Sequence, residues 1–350
     1  MADQLDLPDR TLVTGGAGWL GRGLLHLFTD PTSAYHRGGE LVALVRDRSE
    51  ADLLGTEVPA VRAVVGDVTD PRSLDALFDG AGGRTDLIHT AGVIHPRTVA
   101  EFDAVNAGGT RNVVAAARRA GIRRMIHVSS NSPFGVNPSI GDTFRAREPY
   151  HPYLGYGRSK MEGELAVLEA ARSDRLDAVI VRPPWFYGPW QPLRQTTFFQ
   201  MVKAGRFPLF GGGHQRRSMV YVENLVQGIV RAERSPGEPG RAWWIADERP
   251  YEVREIVATV QQALRDEGIE SKDGGLRAPA VVARVAVAAD TVLQRIGTYV
   301  QELHVLGEMG ATIACDISAA RDELGYRPEI DLLEGMRRSI RWCRAHGVEL

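Results

Sequence analysis

The feature that most constrains the fold of this chain is a regular alternation of two hydrophobic patterns between residues 11 and 182. Short runs rich in β-branched residues recur along it, and longer segments with helical spacing of apolar residues separate them. This alternation is typical of βαβ units, in which each helix crosses back over a sheet of parallel strands. The predicted strands span residues 11–14, 40–45, 61–65, 86–89, 124–129 and 177–182.

Most of these runs are almost wholly apolar before they end in a small or polar residue. Such runs indicate strands that are covered on both faces and whose carboxyl ends open onto a ligand crevice. After Arg182 the composition changes to proline, glycine and aromatic residues, and helical patterns return at 253–265 and 332–345. The sequence therefore predicts an α/β fold with two parts. Residues 1–182 form a doubly wound, Rossmann-type parallel sheet, residues 183–350 form a smaller, mixed C-terminal lobe that binds the substrate, and the chain crosses between them.

Composition and charge argue against several other classes of protein. The 42 basic and 44 acidic residues give a net charge of −2, so we expect no nucleic-acid partner. The most apolar stretch, residues 280–289, is broken by Arg284 and too short to span a membrane, and the first four residues are polar. We therefore expect a cytoplasmic protein without a membrane partner. Cys315 and Cys343 lack the spacing of a metal site or a disulfide framework, so the expected partner is a small molecule and no metal is expected.

A glycine-rich turn follows the first predicted strand and leads into an apolar helix pattern at 20–28. Three glycines spaced three residues apart allow a sharp turn, a close approach of backbone to a pyrophosphate, and tight packing of helix on strand. The N-terminus of the helix then faces the phosphate charge. A tight turn without a ligand is the structural alternative. The turn predicts a dinucleotide site formed by Gly15, Gly18, Trp19, Leu20 and Gly21.

The residue after the second strand indicates which dinucleotide binds. Sites for NAD place a carboxylate there, on the adenosine ribose, whereas sites for NADP place an arginine on the 2′-phosphate. Here the strand is followed by Arg46, Asp47 comes one residue later, and Glu40 lies at the other end. This pattern favours NADP, with NAD as the second choice, although a solvated surface arginine also accounts for Arg46. Asp67 and Val68 are predicted to line the adenine site, but a turn aspartate explains Asp67 as well.

Tyr156 and Lys160 are the residues that we predict to carry out the chemistry. They are four residues apart in a helical pattern, so they share one helix face and the ammonium can stabilise an ionised phenol. Only three of the 42 basic residues are lysines, which makes this pairing unlikely to arise by chance. Ser130 follows the fifth strand, where its hydroxyl is placed to bond a substrate oxygen, although serines also form turns at strand ends.

Taken together, these motifs resemble the extended short-chain dehydrogenase/reductases, in the family of NAD-dependent epimerases and dehydratases. The resemblance covers nearly all of the chain, and further motifs follow in the order of the family. They lie at residues 86–92, 105–110, 182–189, 217–225 and 316–325.

The resemblance implies a role for each matching residue. Tyr156 would be the general acid/base, Lys160 would hold the nicotinamide ribose and lower the pKa of the phenol, and Ser130 would orient the reacting oxygen. These roles agree with the chemistry, since a hydride leaves a carbinol carbon only as the hydroxyl proton is removed. The further cofactor contacts that the resemblance implies are Thr90, Ala91, Gly92, Asn106 and Pro183.

Departures from the family pattern narrow the reaction. Sugar 4,6-dehydratases of this family carry an Asp-Glu pair where this chain has Asn131 and Ser132, so dehydration is disfavoured. An oxidoreductase or epimerase that acts at one secondary alcohol or ketone carbon remains. A third alternative is a regulator that binds NADP without catalysis, but such proteins usually lose the tyrosine and lysine that this chain retains.

The substrate evidence from the sequence is divided. Arg217 matches the arginine that holds the diphosphate in nucleotide-sugar enzymes, and this slightly favours a nucleotide sugar. Trp185 stands where those enzymes often place an asparagine, and with Phe186 and Trp190 it suits an apolar pocket like that of hydroxysteroid dehydrogenases and dihydroflavonol reductases. These aromatic residues also suit the core of the lobe. The predicted substrate contacts are His95, Ser132, Trp185 and Arg217.

The resemblance also implies a homodimer. It would be built on the two helices that follow Thr98 and Tyr153, where Gly108 and Gly109 would let two backbones approach closely.

Overall fold

The computed structural model describes residues 5–173 and 176–350, so the polar residues 1–4 of the sequence lie outside the described residues. The strands, in chain order, are β1 (Arg10–Thr14), β2 (Glu40–Val45), β3 (Arg62–Val65), β4 (Thr85–His89), β5 (Arg124–Val128), β6 (Ala178–Arg182), β7 (Trp185–Tyr187), β8 (Pro208–Phe210), β9 (Arg216–Arg217), β10 (Met219–Tyr221), β11 (Ala242–Trp244), β12 (Tyr251–Glu252) and β13 (Leu276–Ala278).

The helices are interleaved with these strands. In chain order they are α1 (Trp19–Thr29), α2 (Arg48–Glu57), α3 (Asp75–Phe78), α4 (Val99–Glu101), α5 (Thr110–Ala120), α6 (Leu154–Arg172), α7 (Leu193–Lys203), α8 (Val222–Arg234), α9 (Val253–Asp266), α10 (Ala280–Arg295), α11 (Gln301–Met309), α12 (Ser318–Leu324) and α13 (Leu332–Ala345). A π-helical segment, Phe102–Gly109, joins α4 to α5.

Seven parallel strands form the central sheet, in the order β11-β6-β5-β4-β1-β2-β3. Alternate residues of each central strand enter two separate hydrophobic clusters, one on each face. Leu12 and Leu87 lie in one cluster, and Val13 and Ile88 lie in the other. This arrangement explains the nearly continuous apolar runs, because both faces of a parallel sheet are covered by helices. The predicted α/β fold with a doubly wound parallel sheet is confirmed.

The six predicted strands are present with bounds that agree to within one residue, and the predicted late helices correspond to α9 and α13. The sequence did not indicate β11, which pairs with β6 through Trp243 and Val181 and forms one edge of the sheet. The chain therefore returns to the sheet after its excursion into the second part. The division at residues 182 and 183 remains a prediction.

The remaining strands form three small pairs in the second part of the chain. β7 pairs with β10, β8 with β13, and β9 with β12. The two helices α10 and α11 pack against each other, and the segment just after α10 bridges to Thr98 through Thr298. Within the described residues, no helix is long and apolar enough to cross a membrane.

Candidate active site

The carboxyl ends of four neighbouring strands meet at one edge of the central sheet. β4, β5 and β6 lie side by side, and β1 flanks β4 on its other side. Because parallel strands end at the same edge, the segments that follow them converge. These segments are the glycine turn, the loop after β4, the serine run after β5, and Pro183 after β6.

The glycine turn after β1 is closely packed at Gly15 and Gly21 and open at Gly18. Gly15 has a φ of 71°, and a Cβ there would lie 2.9 Å from the backbone of Ala91. A Cβ on Gly21 would overlap the Gly15 carbonyl, so α1 packs closely on the turn. A Cβ on Gly18 would meet the Gly15 carbonyl oxygen at 3.1 Å and otherwise open space among the described residues. The open backbone at Gly18 fits the pyrophosphate of a dinucleotide.

The first two residues of α1 face different surroundings. Trp19 donates from Nε1 to the Pro189 carbonyl at 2.7 Å, and its ring lies 4.5 Å from that of Phe186. Leu20 is buried in the core beneath the turn. The start of α1 therefore connects the glycine turn to the second part of the chain.

A carboxylate that the sequence analysis missed lies at the end of β2. Glu50 accepts from the backbone N–H of Arg46 and from its Nε, each at 2.8 Å. Asp47 caps α2 by accepting from the Glu50 N–H at 3.0 Å, and this cap turns Glu50 back toward the strand end. The Arg46 side chain is 80% exposed. The end of β2 thus presents an arginine and a carboxylate together.

Asp67 and Val68 have structural contacts of their own. Asp67 accepts from the Thr69 N–H at 2.8 Å, which is the turn arrangement that the sequence left open. Val68 is buried, and a Cβ on Gly109 would lie 2.6 Å from its side chain. Gly109 therefore approaches Val68 within the chain and is not available to a partner subunit.

Asn106 joins the loop after β4 to the helix that carries Tyr156. Its Oδ1 accepts from the Val93 N–H at 2.8 Å, and its Nδ2 donates to the Val93 carbonyl and to Ser159 Oγ, each at 3.0 Å. Ser159 Oγ in turn donates to the Tyr156 carbonyl at 2.9 Å. Thr90, next to Ala91 and the exposed Gly92, donates from Oγ1 to the Thr14 carbonyl at 2.7 Å. Two of the Asn106 bonds hold the loop after β4 at Val93, and the third connects that loop to Ser159 of α6.

The predicted catalytic residues converge on the end of β5. Lys160 is buried on α6 and donates from Nζ to the Val128 carbonyl, in the last residue of β5, at 2.9 Å. Ser130 follows two residues later, and its Oγ lies 3.3 Å from Ser132 Oγ. Tyr156 is half-buried one turn before Lys160, with its ring 5.8 Å from that of Phe102. The ammonium of Lys160 and the hydroxyl of Ser130 thus share one strand end, and the helix that carries Lys160 also carries Tyr156.

Gly157 makes this convergence possible, although the sequence analysis gave it no role. A Cβ on Gly157 would overlap the Ser132 carbonyl, so the residue allows α6 to contact the serine run. The Tyr153 N–H also donates to that carbonyl, at 3.1 Å. Leu154, at the start of α6, has a φ of 52°, which is strained for a residue with a side chain. The start of the helix is therefore fitted tightly against the residues around Ser130.

Burial has a large effect on the pKa of Lys160. It lowers the pKa of Lys160 to about 8, and the carboxylate of Glu164 one turn away opposes this shift. Glu164 is itself occupied, because Arg182 donates to both of its oxygens, at 3.1 and 2.7 Å, and Tyr150 donates to one of them at 2.8 Å. Among the described residues, no carboxylate forms an ion pair with the ammonium of Lys160.

Two buried histidines lie beside Lys160, and the sequence analysis missed both. The rings of His89 and His127 stack at 5.3 Å, and burial together with Lys160 lowers the pKa of each. Thr110 donates to the Asn106 carbonyl, so it accepts from His89 Nε2 at 3.0 Å, and Thr14 then donates to His89 Nδ1 at 2.7 Å. Both imidazoles are neutral. The signal for them was a histidine as the last residue of β4 and another as the next-to-last residue of β5.

The predicted substrate residues do not all lie together. His95 bonds through Nδ1 to the Tyr299 hydroxyl at 2.8 Å. Trp185 is half-buried, with its ring 5.5 Å from Phe198 of α7. Trp190 stacks on His26 of α1 at 4.6 Å, so it belongs to the contact between the two parts of the chain.

Arg217 is buried, with 8% of its surface exposed, and its Nη2 donates to the Glu308 carbonyl. Burial lowers the pKa of Arg217, and the carboxylate of Glu308 opposes that shift. The sequence did not indicate Glu308, which reaches Arg217 from α11.

Comparisons with known proteins agree with this arrangement. The model of the NAD dependent epimerase/dehydratase family matches residues 11–246. The chain is 46% identical to the uncharacterized protein y4nL of Sinorhizobium fredii, over 96% of this chain and 95% of that protein. It is 29% identical to the 4-hydroxy-2-methyl-3-oxo-4-farnesyl-3,4-dihydroquinoline-1-oxide ketoreductase of Stigmatella aurantiaca, over 93% and 94% of the two chains. DesIV, a dTDP-glucose 4,6-dehydratase of Streptomyces venezuelae solved with NAD, shares the fold with a TM-score of 0.73 at 24% identity, over 96% and 97% of the two chains.

Proposed function

Because this chain belongs to the NAD-dependent epimerase/dehydratase family, we propose that it transfers a hydride at the secondary alcohol or ketone carbon of an apolar substrate, as a ketone reductase. The family makes it an NAD(P)-dependent enzyme, so a regulator without catalysis is set aside. The glycine turn, with its open backbone at Gly18, fits the cofactor. Bound NAD(P)H would supply the hydride.

The residues around Ser130 would manage the proton and the charge. Tyr156 would donate its phenol proton to the carbonyl oxygen of the ketone, and the Ser130 hydroxyl would hold that oxygen in place. The ammonium of Lys160 would stabilise the phenolate that remains. Lys160 gives one N–H to the Val128 carbonyl, and its other donors suit the ribose of the cofactor.

The observation that carries the substrate assignment is the contact between Arg217 and Glu308. A diphosphate at Arg217 would have to compete with the backbone carbonyl of Glu308 for the guanidinium, and the charge of the Glu308 carboxylate, which acts on Arg217, would repel it. An uncharged ketone meets no such repulsion. The half-buried Trp185 adds apolar surface, and the similarity to a ketoreductase of a farnesylated quinoline oxide supports the same class of substrate.

A nucleotide sugar is the second candidate, because Arg217 itself is the residue that suits a diphosphate. One set of assays distinguishes the two candidate substrates. Apolar cyclic ketones are offered with NADPH or NADH and nucleotide hexoses with NADP or NAD, and we expect cofactor oxidation with a ketone. Epimerisation of a nucleotide hexose leaves the cofactor unchanged overall, so it is followed by chromatography of the sugar product. Tyr156→Phe should reduce the rate of cofactor oxidation by about 10² to 10⁴. Turnover of nucleotide sugars alone would contradict the proposal, and Glu308→Gln would then be expected to improve their binding.

We further propose NADP as the preferred cofactor, with Arg46 on its 2′-phosphate. In this arrangement Glu50 competes with the phosphate for the guanidinium. Arg46→Ala should weaken NADPH binding by about 10- to 100-fold, because a charge-assisted bond is lost, and should leave NADH binding unchanged. Glu50→Gln should tighten NADPH binding. Binding is measured by fluorescence titration, and Arg84→Ala is the control. Arg84 forms an exposed ion pair with Asp9 before the amino ends of β4 and β1. Equal losses for both cofactors in Arg46→Ala would refute the assignment.

A further inference from the structure

Helix α10 presents an apolar face to solvent. Val281, Val285, Val292 and Ile296 are 53%, 62%, 57% and 72% exposed. Their spacings of four, seven and four residues place them along one side of the helix. Val282, at 41% exposure, lies at the edge of this side. We name these five residues the valine face.

The opposite side of α10 is the one that packs on the protein. Ala283, Ala286, Asp290 and Gln294 are buried there. Asp290 bonds to His304 Nδ1 of α11 at 2.8 Å, and Gln294 Oε1 accepts from the Gly155 N–H at 3.1 Å. The orientation of the helix is therefore fixed, and the exposure of the valine face is a property of the fold. A surface helix normally turns polar residues outward, so the apolar residues on the exposed side of α10 indicate a further apolar partner.

The charges exposed on α10 and directly before it are all positive. Arg284 and Arg295 are exposed on α10, Arg277 is exposed just before it, and the one acidic residue of the helix, Asp290, is buried. Within residues 5–173 and 176–350, none of these three arginines has an ion-pair partner. Some exposed arginines elsewhere have one, such as Arg48 with Asp52, and others, such as Arg118 and Arg119, have none among the described residues, so what distinguishes this group is its place beside the valine face.

We propose that the valine face of α10 docks on an anionic membrane surface. The apolar side chains would enter the boundary between headgroups and acyl chains, and the three arginines would pair with lipid phosphates. A second copy of the chain fits this face less well, because a two-fold contact would bring a second set of arginines to a helix that exposes no carboxylate. Docking of this kind is peripheral and needs no helix that crosses the membrane.

The helix that carries the valine face packs, through its other side, next to the candidate active site. Gln294 bonds to the backbone one residue before Tyr156, and Tyr299, just after α10, bonds to His95. The valine face points away from these contacts, so α10 itself would separate a membrane from the candidate active site. The docking proposal does not depend on the identity of the substrate.

Vesicle sedimentation tests the proposal on the full chain. We expect the protein to sediment with vesicles of phosphatidylglycerol and phosphatidylcholine at about 0.1 M salt, and to be released at about 1 M salt. The double variant Val285→Glu with Val292→Glu should bind these vesicles at least about tenfold more weakly. Leu53→Glu, on the exposed side of α2 at 39% exposure, is the matched control and should bind like the wild type.

A second variant separates the charge contribution from the apolar one. Arg284→Glu with Arg295→Glu keeps the valines and should lose binding to anionic vesicles. Dinucleotide binding by each variant establishes that it is folded. Three results would overturn the proposal: no binding of the wild type to anionic vesicles, equal binding by the valine variant, or conversion of a dimer to a monomer by the valine variant without lipid. The last result would assign the face to a second copy.

Discussion

At the scale of single residues, Lys160 combines its proposed catalytic role with a cost in stability. The ammonium is buried, its pKa is lowered to about 8 from the usual 10.5, and the nearest carboxylate is engaged by Arg182. The unfolded chain therefore binds this proton more tightly than the folded protein does. The cost is present in full below pH 8 and disappears as the pH rises toward 10.5.

Lys160→Met should consequently stabilise the protein while it removes activity. The pKa shift corresponds to roughly 3 kcal/mol, and loss of the bond to the Val128 carbonyl returns about 1 kcal/mol, so we expect a gain of about 2 kcal/mol in the free energy of unfolding at pH 7. Urea unfolding at pH 7 and pH 10 measures it, and the gain should vanish at pH 10. Lys272→Met, at an exposed lysine, is the control. A gain of equal size at both pH values would show that burial of the charge is not its cause.

The roles of several residues could not be predicted because they depend on contacts made across the fold. The spacing of Tyr156 and Lys160 is local, so the sequence alone indicates their common face. Glu50 reaches Arg46 through the first turn of α2, and Glu308 reaches Arg217 from a helix that is distant in the chain. Nothing in the pattern around Arg46 or Arg217 indicates the Glu50 carboxylate or the backbone carbonyl of Glu308.

At the scale of elements, the strands were predictable wherever a covered parallel sheet demands an apolar run. β11 is only three residues long, and its place beside β6 follows from the path of the chain through the second lobe. The outward direction of the valine face was equally hidden, since an apolar helix pattern normally indicates burial. The contact between α6 and the serine run depends on Gly157 and gives a direct test.

Gly157→Ala should separate α6 from Ser132, because the new Cβ overlaps the Ser132 carbonyl. We expect kcat to fall by about 10²-fold or more, since Tyr156 and Ser130 would no longer be held in reacting positions. Cofactor affinity should change less, because the glycine turn is unaffected. Gly55→Ala in α2, where a Cβ meets no described atom within 4 Å, is the control and should retain full activity. Steady-state kinetics with a reducible ketone, and dinucleotide titration, give the two readouts. Unchanged kcat in Gly157→Ala would contradict this role.

At the scale of the whole molecule, the predicted homodimer concerns the outer faces of the helices after Thr98 and Tyr153. Gly109 packs against Val68 of the same chain. Of the two glycines, only Gly108 has room for the approach of a partner subunit. On α6, Leu165 is 43% exposed, as expected for a residue that a second subunit covers.

Leu165→Glu should therefore convert the dimer to a monomer, because an unpaired carboxylate would be buried in the contact. Analytical ultracentrifugation of the wild type and the variant measures the change, and Leu53→Glu serves again as the control. A monomeric wild type, or a variant that remains a dimer, would refute this interface. The valine variants of α10 should leave the dimer intact, which keeps the two surfaces experimentally separate.

The late arrival of β11 has a consequence for synthesis on the ribosome. β6 ends at Arg182, whereas its neighbour on the outer side begins only at Ala242. Until that later segment has left the exit tunnel, β6 is an edge strand whose backbone groups are open to pairing with other nascent chains. A chain truncated after Arg182 retains this open edge permanently. Premature termination between these two strands should therefore yield aggregates and not a stable nucleotide-binding fragment.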